Sequence, residues 1–406
     1  MNIYISGISG TGMGPLALMA KKAGFTVWGS DLVEGAIYDE LMMADIEVEI
    51  GSQDGEFLKS KLEEGVDWFV YTSALPDNHA ELIMAKKSGV KCTKRDDFTA
   101  FLVEKLGLRM IAVAGTHGKT TTTAMIIWAA LKLGLPTAYI VGTTLGFAVS
   151  GSYKFGDEYF VYEADEYDRN FLKYHPWMAV IPAVSYDHSD IYSTKEDYKG
   201  AFEQFKSQSE KVVEKSSFSE SDFKLAGKVR REDAALAAEA ILAMDTSITR
   251  EKIVEILNEF PGVGRRFEKI TEGIYTDYAH HPEEIKATMD IVKDEKELHG
   301  YKGIVVVYQP HQNTRQYEVR DDYMDAFLGA DKIYWLPTYL TREDSNLSVL
   351  APDDLISGLS NKDVAESAEV SDDLAEKLKQ CVSDGCLVIL MTAGPADDWL
   401  REKFSK

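Results

Sequence analysis

Short apolar runs alternate with segments of helical periodicity along the first hundred residues. Asn2–Ser6, Thr26–Trp28 and Trp68–Tyr71 are rich in β-branched and aromatic side chains and predict strands. Between the first two strands, Met13–Ala23 repeats apolar residues at helical spacing. Strands that alternate with helices in this way predict a mostly parallel sheet covered by helices.

The same alternation continues through the rest of the chain. Met110–Ala114 predicts a buried strand, and Thr121–Leu133 predicts the helix that follows it. Five further strands are predicted, at Tyr159–Glu163, Met178–Pro182, Gly303–Tyr308, Lys332–Leu336 and Cys386–Met391. The fold class is therefore α/β along the whole length.

Two seams interrupt the alternation. Ser207–Asp222 is polar and predicts surface or a loose connection before the Ala-rich helix Ala234–Met244, while helix-breaking residues crowd into Phe260–Gly264. We therefore predict three α/β domains, at residues 1–107, 108–262 and 263–406.

Composition limits the classes of function. The 44 basic and 67 acidic residues give a formal charge of −23, which argues against nonspecific binding to nucleic acid or anionic lipid. Three cysteines without a C-x-x-C pair argue against a disulfide framework and fit a reducing cytoplasm. The start Met1–Gly7 lacks the features of a signal peptide. No apolar run approaches the length of about 18 residues that a membrane span needs, so we expect no membrane insertion.

The strongest local signal is a glycine-rich loop between a predicted strand and a predicted helix: Gly115, Thr116, His117, Gly118, Lys119, Thr120 and Thr121. Glycines let backbone amides converge on phosphate oxygens, and the helix start adds partial positive charge. Lys119 would reach the β- and γ-phosphates of ATP, and the Thr120 hydroxyl would bind Mg²⁺. Val113 stands where the usual G-x-x-x-x-G-K-[ST] pattern has its first glycine. A plain strand–helix turn with an incidental lysine is the alternative.

A second glycine-rich turn, Gly7–Gly14, follows the first strand, and Asp31 ends the next strand. This layout resembles a dinucleotide fingerprint, with backbone amides for a pyrophosphate and a carboxylate for a ribose. It fits NAD, FAD, a UDP-sugar or a plain βα turn. Together with the ATP-type loop, it suggests ATP plus a second substrate that carries a diphosphate.

Acidic and histidine clusters follow two strands of the middle region. Glu163 begins the run Glu163–Asp168 at a strand end and is a candidate Mg²⁺ ligand, although a solvated acidic helix start would give the same pattern. His188, within Val184–Asp190, could bind a metal as neutral imidazole or serve a structural role.

Three clusters near predicted strand ends mark the last third of the chain: Gly264–Phe267, Asp277–Pro282 and Gln309–Arg315. Their arginines offer a bidentate fork for carboxylate or phosphate, and their histidines add local positive charge. Taken together they predict a site for an anion, although any one of them could be a surface residue.

The order of these motifs resembles the Mur ligases, the ATP-dependent amide-forming enzymes of peptidoglycan precursor synthesis. The resemblance covers nearly the whole chain: Gly7–Gly14, Thr72–Ala74 with Asp77-Asn78, Arg95, Gly115–Thr121, Glu163–Asp168, Asp187-His188, Gly262–Phe267, Asp277–Pro282 and Gln309–Arg315. It implies an N-terminal Rossmann-like domain, a shortened central domain with a P-loop ATPase-type parallel sheet, and a C-terminal Rossmann-like domain.

The resemblance is nearest to the branch that adds L-alanine to UDP-N-acetylmuramate, with ATP and Mg²⁺ as cofactors. It implies that the UDP-sugar is held by Gly10, Thr11, Gly12, Met13, Asp31, Ser73 and Arg95. It implies one Mg²⁺ on Thr120 and Glu163, a second on His188, Arg266 at the γ-phosphate and Asp277 at the ATP ribose. The acceptor amino acid would be surrounded by His280, His311 and Arg315, and catalysis would be carried by Lys119, Glu163, His188, Arg266 and His280.

The chain departs from the family pattern at four places. Ser9 replaces a glycine of the first turn, Gln312-Asn313 alters the acceptor block, and the segment after Phe205 is short. Gly227–Asp233 stands where family members carry a His-Asn…Asn set for adenine. These departures leave adenine recognition and the acceptor open.

Three alternative functions are consistent with parts of the pattern. A sister branch of the family attaches a whole peptide to UDP-N-acetylmuramate. The motif Pro-His-x-Asn-Thr, which begins at Pro310, gives this branch some support. A nicotinamide oxidoreductase explains Gly7–Gly14 but leaves the Gly115–Thr121 loop without a purpose. A non-catalytic ligase-like binding subunit would explain the altered adenine region. We expect a monomer or a weak homodimer.

Overall fold

The computed structural model describes residues 1–72, 74–186, 191–341, 343 and 346–404. The chain divides into two compact units. The first contains residues 1–223 and 232–261, and the second contains residues 224–231 and 262–406. The described residues form two sheets in the first unit and one sheet in the second.

The first sheet has five parallel strands in the order β3-β2-β1-β4-β5. Its elements along the chain are β1 (Asn2–Ser6), α1 (Gly14–Lys22), β2 (Thr26–Asp31), α2 (Tyr38–Met43), β3 (Glu47–Ile50), α3 (Glu56–Glu64), β4 (Trp68–Tyr71), α4 (Ala80–Ser88), β5 (Lys91–Lys94) and α5 (Arg95–Leu106). In the central strand, Ile3 and Ile5 pack into one apolar cluster and Tyr4 into another. This alternation buries β1 on both faces, as a parallel sheet with helices on both sides requires.

The second sheet has six strands in the order β11-β10-β6-β9-β7-β8, parallel except for the pairing of β8 with β7. Its elements are β6 (Arg109–Val113), α6 (Lys119–Leu133), β7 (Thr137–Ile140), β8 (Gly151–Ser152), β9 (Tyr159–Glu163), a 3₁₀ segment (Tyr167–Lys173), β10 (Met178–Val180), α7 (Lys195–Ser207), β11 (Lys211–Val213), a 3₁₀ turn (Glu220–Asp222), α8 (Lys228–Met244) and α9 (Arg250–Asn258). The first four residues of α8 belong to the second unit. Val113 pairs with Glu163, so β6 and β9 end level with each other.

The sheet of the second unit also has six strands, in the order β12-β13-β17-β14-β15-β16, parallel except for β12 with β13. Its elements are β12 (Glu268–Thr271), β13 (Ile274–Asp277), α10 (Pro282–His299), β14 (Ile304–Gln309), α11 (Asn313–Val319), a 3₁₀ turn (Arg320–Tyr323), β15 (Lys332–Trp335), α12 (Pro352–Ile356), a 3₁₀ turn (Lys362–Val364), β16 (Ala365–Ser367), α13 (Asp372–Ser383), β17 (Leu387–Thr392) and α14 (Ala396–Phe404). Side chains of β14 alternate between two apolar clusters, with Val306 on one face and Val305 on the other.

One apolar cluster joins the two sheets of the first unit. It contains Leu16 and Phe98 from the helices of the first sheet together with Phe160 and Phe205 of the second, all of them inaccessible to solvent. Burial of this kind is the main favourable term in folding. Among the described helices, none is both long and apolar enough to cross a membrane.

The predicted α/β fold class is confirmed, and the predicted strands Asn2–Ser6, Trp68–Tyr71 and Tyr159–Glu163 match the structure residue for residue. The prediction for Ser207–Asp222 was too loose, because Lys211–Val213 forms an edge strand there. The two valines of this short strand stand between polar residues on both sides, and that is why the stretch as a whole was interpreted as surface.

Helix ends were the other source of error. The predicted Ala-rich helix from Ala234 begins at Lys228, because its first turns are made of charged residues that gave no apolar signal. The helix predicted from Thr121 begins at Lys119. The domain boundaries 1–107, 108–262 and 263–406 stay a prediction.

A matched pair of glycines tests the packing between the two sheets of the first unit. A Cβ at Gly151 in β8 would collide with the carbonyl oxygen of Pro15 in the first turn of α1, whereas a Cβ at Gly146 would meet no atom within 4 Å. We expect Gly151→Ala to lower the free energy of unfolding by about 1–3 kcal/mol, since backbone must move. Gly146→Ala should stay within about 0.5 kcal/mol of the wild type. Urea unfolding midpoints measure both, and equal midpoints for the two variants would show that this contact is not tight.

Candidate functional site

The glycine-rich loop connects the end of β6 to the start of α6. Gly118 precedes the helix with a φ of +80°, a left-handed conformation that glycine adopts without a steric penalty. The helix begins at Lys119 without a side-chain cap. The amides of its first turn have no intrahelical acceptor, so they and the helix dipole create a site that favours an anion.

Lys119 is held at this loop by oxygen atoms on two sides. Its Nζ donates to the carbonyl of Gly115, to the carbonyl of Thr116 at 3.4 Å and to Oε1 of Glu166 at 2.9 Å. The side chain of Glu166 is only 1% exposed. A buried carboxylate therefore fixes the ammonium group beside the helix start. Sequence reasoning missed this partner, and the only signal for it was a second glutamate in the run that begins at Glu163.

Thr120 and Glu163 lie together beside the loop. The Thr120 hydroxyl donates to Oε1 of Glu163 at 2.9 Å. Oε2 of Glu163 is buried and has no hydrogen-bond partner among the described residues. A hydroxyl and a carboxylate with an unused oxygen are ligands of the kind that Mg²⁺ binds, so this pair fits the predicted metal. His188, the other predicted ligand, and Ser73 lie outside the described residues. The remaining residues, where described, contain no group of three or more His, Cys, Asp or Glu placed to hold a metal ion.

The rest of the loop is fixed by the chain that follows β10. The Thr116 hydroxyl donates to the carbonyl of Ser185 at 2.6 Å and accepts from the Ser185 amide at 3.0 Å. His117 forms an isolated β-bridge with Ala183. Thr121, in the first turn of α6, is half-buried. The loop is thus ordered by protein contacts.

The N-terminal glycine turn borders a cavity of about 290 Å³, whose lining residues are Gly7, Gly10, Thr11, Gly12, Met13, Thr72, Lys94, Arg95 and Asp96. The Arg95 guanidinium lies directly against the turn, because a Cβ at Gly12 would be 2.7 Å from its Nη1. Two cations and a glycine-rich backbone suit a diphosphate. Five of the seven predicted UDP-sugar residues are therefore brought to one cavity.

Asp31 ends β2, and its side chain binds the backbone of the glycine turn. Its Oδ2 accepts from the Ser9 amide at 2.8 Å, and its Oδ1 accepts from the Leu32 amide at 2.8 Å. The carboxylate therefore orders the turn, and its predicted contact with a ribose stays a prediction.

In the second unit, Asp277 ends β13 and is almost completely buried. It accepts from the amides of Phe267 at 2.7 Å and Ala279 at 2.8 Å, and from the Thr288 hydroxyl at 3.1 Å. Burial raises the pKa of this carboxyl, and the nearby charge of Arg266 opposes that shift. Asp277 thus holds the 265–267 loop to the strand end, and its predicted ribose contact stays a prediction.

His280 and His311 lie together at neighbouring loops of the second unit, with ring centroids 5.5 Å apart. His280 Nδ1 is 3.1 Å from the carbonyl of Tyr278 and 3.2 Å from Oε2 of Glu284. The same Oε2 accepts from the backbone amides of His280 at 3.0 Å and His281 at 3.2 Å. Glu284 therefore orients the His280 ring, a role that sequence reasoning missed.

The pKa of the Glu284 carboxyl lies below its usual value. Burial raises this pKa, but the hydrogen bond and the charge of His280 lower it by more. The arginines lie near the same place: the Arg266 guanidinium is 5.2 Å from the centre of the Tyr278 ring. The positive charge of Arg315 acts on Tyr308, whose hydroxyl donates to the His280 carbonyl at 3.0 Å. The predicted acceptor residues His280, His311 and Arg315 thus lie in one region, which also contains Tyr278 and Tyr308.

Comparison with known proteins adds independent evidence. The model for the Mur ligase family, catalytic domain, matches residues 2–105, and the model for the Mur ligase middle domain matches residues 113–217. The UDP-N-acetylmuramate–L-alanine ligase of Caldanaerobacter subterraneus subsp. tengcongensis is 30% identical, over 97% of this chain and 95% of the relative. The protein of the same name from Clostridium perfringens is 31% identical, over 84% of each chain.

Two solved structures show the same fold. The UDP-N-acetylmuramate-alanine ligase of Thermotoga maritima superposes with a TM-score of 0.79 at 23% identity, over 99% of this chain and 98% of that one. A murein peptide ligase from Psychrobacter arcticus has a TM-score of 0.63 at the same identity and the same coverage.

The Glu284 carboxylate should make stability depend on pH. Its pKa is depressed in the folded state, so its contribution is fully present above the ordinary value of 4.5 and is lost as the pH falls further. Glu284→Gln should therefore unfold more easily than the wild type at pH 7, by about 1–3 kcal/mol for a lost charge-assisted partner. The difference should shrink between pH 5 and the acid limit of folding.

The exposed neighbour Glu283 provides the control, because it lies in the same helical turn. Glu283→Gln should have a smaller effect at pH 7. Urea unfolding at several pH values measures both variants. A gap between wild type and Glu284→Gln that stays constant down to acid pH would contradict the assigned ionisation of Glu284.

Proposed function

The chain belongs to the Mur ligase family, and on this premise we propose that it joins L-alanine to the lactyl carboxylate of UDP-N-acetylmuramate in peptidoglycan precursor synthesis, with ATP converted to ADP and phosphate. One observation carries the ATP-dependent part of this proposal. Lys119 and Thr120 begin a helix after a glycine-rich loop, and the Thr120 hydroxyl is bound to Glu163 at 2.9 Å. The choice of substrates is supported by the two UDP-N-acetylmuramate–L-alanine ligases that are 30% and 31% identical to this chain.

The chemistry explains why the enzyme needs ATP. A carboxylate resists attack by an amine, so transfer of the γ-phosphoryl group to the lactyl carboxylate makes an acyl phosphate, which is a good electrophile. The amine of L-alanine then attacks the carbonyl carbon, the amide bond forms and phosphate leaves. Phosphoryl transfer depends mainly on positioning and on stabilisation of negative charge. Lys119 and the loop amides from Gly115 to Thr121 supply both at the β- and γ-phosphates.

Thr120 and Glu163 would hold a Mg²⁺ ion, and His188 would hold a second one. The bound metal would neutralise phosphate charge during transfer. The support for the first ion is the unused, buried Oε2 of Glu163. The Thr120 hydroxyl donates a hydrogen bond to Oε1 of Glu163, which leaves Oε2 of Glu163 as the oxygen that would face the ion.

Gly10, Thr11, Gly12, Met13 and Arg95 would bind the diphosphate of UDP-N-acetylmuramate, with Asp31 and Ser73 as further contacts of the UDP-sugar. The support is the cavity of about 290 Å³ in which the glycine turn faces Lys94 and Arg95. Backbone amides and two cations there would offset the two negative charges of a diphosphate.

In the second unit, Arg266 would bind a phosphate oxygen of ATP and Asp277 its ribose. His280, His311 and Arg315 would bind the acceptor amino acid, with Arg315 at its carboxylate. Since Nδ1 of His280 faces the Tyr278 carbonyl and Glu284, it carries the ring proton in the neutral form. Nε2 is then left as the atom that can take a proton from the acceptor amine.

A second acceptor has support of its own. The solved murein peptide ligase covers 99% of this chain with a TM-score of 0.63, and the block after Gln309 differs from the alanine-adding pattern. A whole peptide is therefore the alternative acceptor, with the same ATP chemistry.

Release of ADP in the presence of UDP-N-acetylmuramate tests both the reaction and the acceptor. We expect turnover with L-alanine and much slower turnover with glycine, L-serine or a murein tripeptide. Lys119→Ala should lose at least about 100-fold in kcat, as for other groups that stabilise transition-state charge. Lys132→Ala is the control, because Lys132 is an exposed lysine of the same helix that lies over the Trp128 ring.

The outcomes separate the possibilities. Turnover with the tripeptide alone would replace L-alanine by a peptide and leave the ATP chemistry in place. Near-native ADP release by Lys119→Ala, or no release with any acceptor, would refute the proposed function.

A further inference from the structure

A buried carboxylate lies next to Arg95 in the first turn of α5. Asp96 is 4% exposed. Its Oδ1 accepts from the Tyr174 hydroxyl at 2.9 Å and from the Tyr162 hydroxyl at 3.2 Å. The same oxygen accepts from Nε and Nη2 of Arg95, both at 3.3 Å. A buried carboxylate is costly unless it is paired and hydrogen-bonded, and these four donors all meet its Oδ1.

These contacts fix which edge of the Arg95 guanidinium is free. Nε and Nη2 are bound to Asp96, while Nη1 lies on the opposite side, against the glycine turn at Gly12. A free arginine side chain loses rotamer entropy when it is immobilised on a ligand. An arginine that is already held avoids much of that loss when the ligand binds.

The two tyrosines come from the second sheet. Tyr162 lies in β9, one residue before Glu163, and Tyr174 follows the 3₁₀ segment that begins at Tyr167. Both are 2% exposed, and their rings pack edge to face with centroids 5.5 Å apart. Asp96 is therefore anchored from the sheet that carries the ATP-type loop.

Two further ion pairs flank this cluster, but they are exposed. Lys94 is 3.2 Å from Asp168, and Lys173 is 3.1 Å from Asp97. Exposed ion pairs of this kind contribute little to stability or orientation. A second carboxylate, the half-buried Asp165, has its Oδ2 4.0 Å from Nη2 of Arg95, farther than the 3.3 Å to Asp96. The buried Asp96 cluster therefore makes the shorter contacts, which set the orientation of Arg95.

We propose that Asp96 is a positioning residue for the diphosphate of the nucleotide sugar. Together with Tyr162 and Tyr174, it holds the Arg95 guanidinium so that Nη1 faces the glycine turn, where a diphosphate oxygen binds. This inference rests on the proposed function only for the identity of the ligand, which is UDP-N-acetylmuramate.

Direct binding of UDP-N-acetylmuramate, measured by calorimetry without ATP or an acceptor, tests the role of Asp96. Asp96→Asn should raise the Kd about tenfold, the size of one charge-assisted contact. Asp97→Asn is the matched control: it removes a neighbouring carboxylate of the same turn that pairs with Lys173 instead of Arg95, and it should leave the Kd unchanged. The KM for ATP should stay within twofold in both variants.

A double-mutant cycle shows whether Asp96 acts through Arg95. In an Arg95→Ala background, Asp96→Asn should have no further effect on the Kd, because the side chain that it positions is gone. Tyr174→Phe keeps the ring and removes only the 2.9 Å hydrogen bond to Asp96, so it should weaken binding about threefold. This variant replaces Asp96→Asn in the test if Asp96→Asn does not fold.

Three results would overturn the proposal: wild-type affinity in both Asp96→Asn and Tyr174→Phe, an equal loss on Asp96→Asn with and without Arg95, or no binding of UDP-N-acetylmuramate by the wild type. If the wild type binds it but releases no ADP with any acceptor, the proposed function fails. The positioning role of Asp96 would then still stand on the binding data.

Discussion

The parallel pairing of β6 with β9 is the constraint on which the candidate site depends. The register places Val113 opposite Glu163, so both strands end level at one edge of the sheet. The chain leaves β6 into the glycine-rich loop and returns as α6, whose second residue, Thr120, meets Glu163 at 2.9 Å. A shift of one residue in this register would turn the Glu163 side chain to the other face of the sheet. The hydroxyl–carboxylate pair exists because the apolar residues of both strands fix the register.

The same logic explains how a chain with a formal charge of −23 can bind phosphates. Two of its cations are held at particular places by buried acids. Glu166 fixes Lys119, and Asp96 fixes Arg95. Each acid lowers the cost of keeping a cation in a partly desolvated position and limits its orientation. The net charge therefore argues only against nonspecific binding to polyanions, while the local arrangement favours small, multiply charged ligands.

The sequence predicted the features that depend on local pattern. Strand–helix alternation gave the fold class, and the loop Gly115–Thr121 stood out because strand, glycines, Lys-Thr and helix occur in order. Glu163 could be placed at the site because carboxyl ends of parallel strands share an edge. These predictions needed only neighbours along the chain and one general rule of sheet geometry.

The partners of the functional groups could not be predicted in this way. Asp96 and Tyr174 are 78 residues apart, and Lys119 and Glu166 are 47 apart, so their contacts depend on tertiary packing. The run Glu163–Asp168 contains two glutamates, and its sequence alone does not show that Glu166 binds Lys119 while Glu163 binds Thr120. The edge strand Lys211–Val213 was missed for a related reason, since two valines within a polar stretch give too short an apolar signal and the strand is defined by its pairing with β10.

Transfer of oxygen from substrate to phosphate tests the central claim, that the loop and Glu163 serve phosphoryl transfer to a carboxylate. UDP-N-acetylmuramate labelled with ¹⁸O in both oxygens of the lactyl carboxylate would be turned over with ATP and L-alanine, and the released phosphate analysed by mass spectrometry. An acyl phosphate requires one ¹⁸O atom in each phosphate, because the carboxylate oxygen leaves with it when the amine attacks. Phosphate without label, formed together with the amide product, would contradict phosphoryl transfer to the carboxylate.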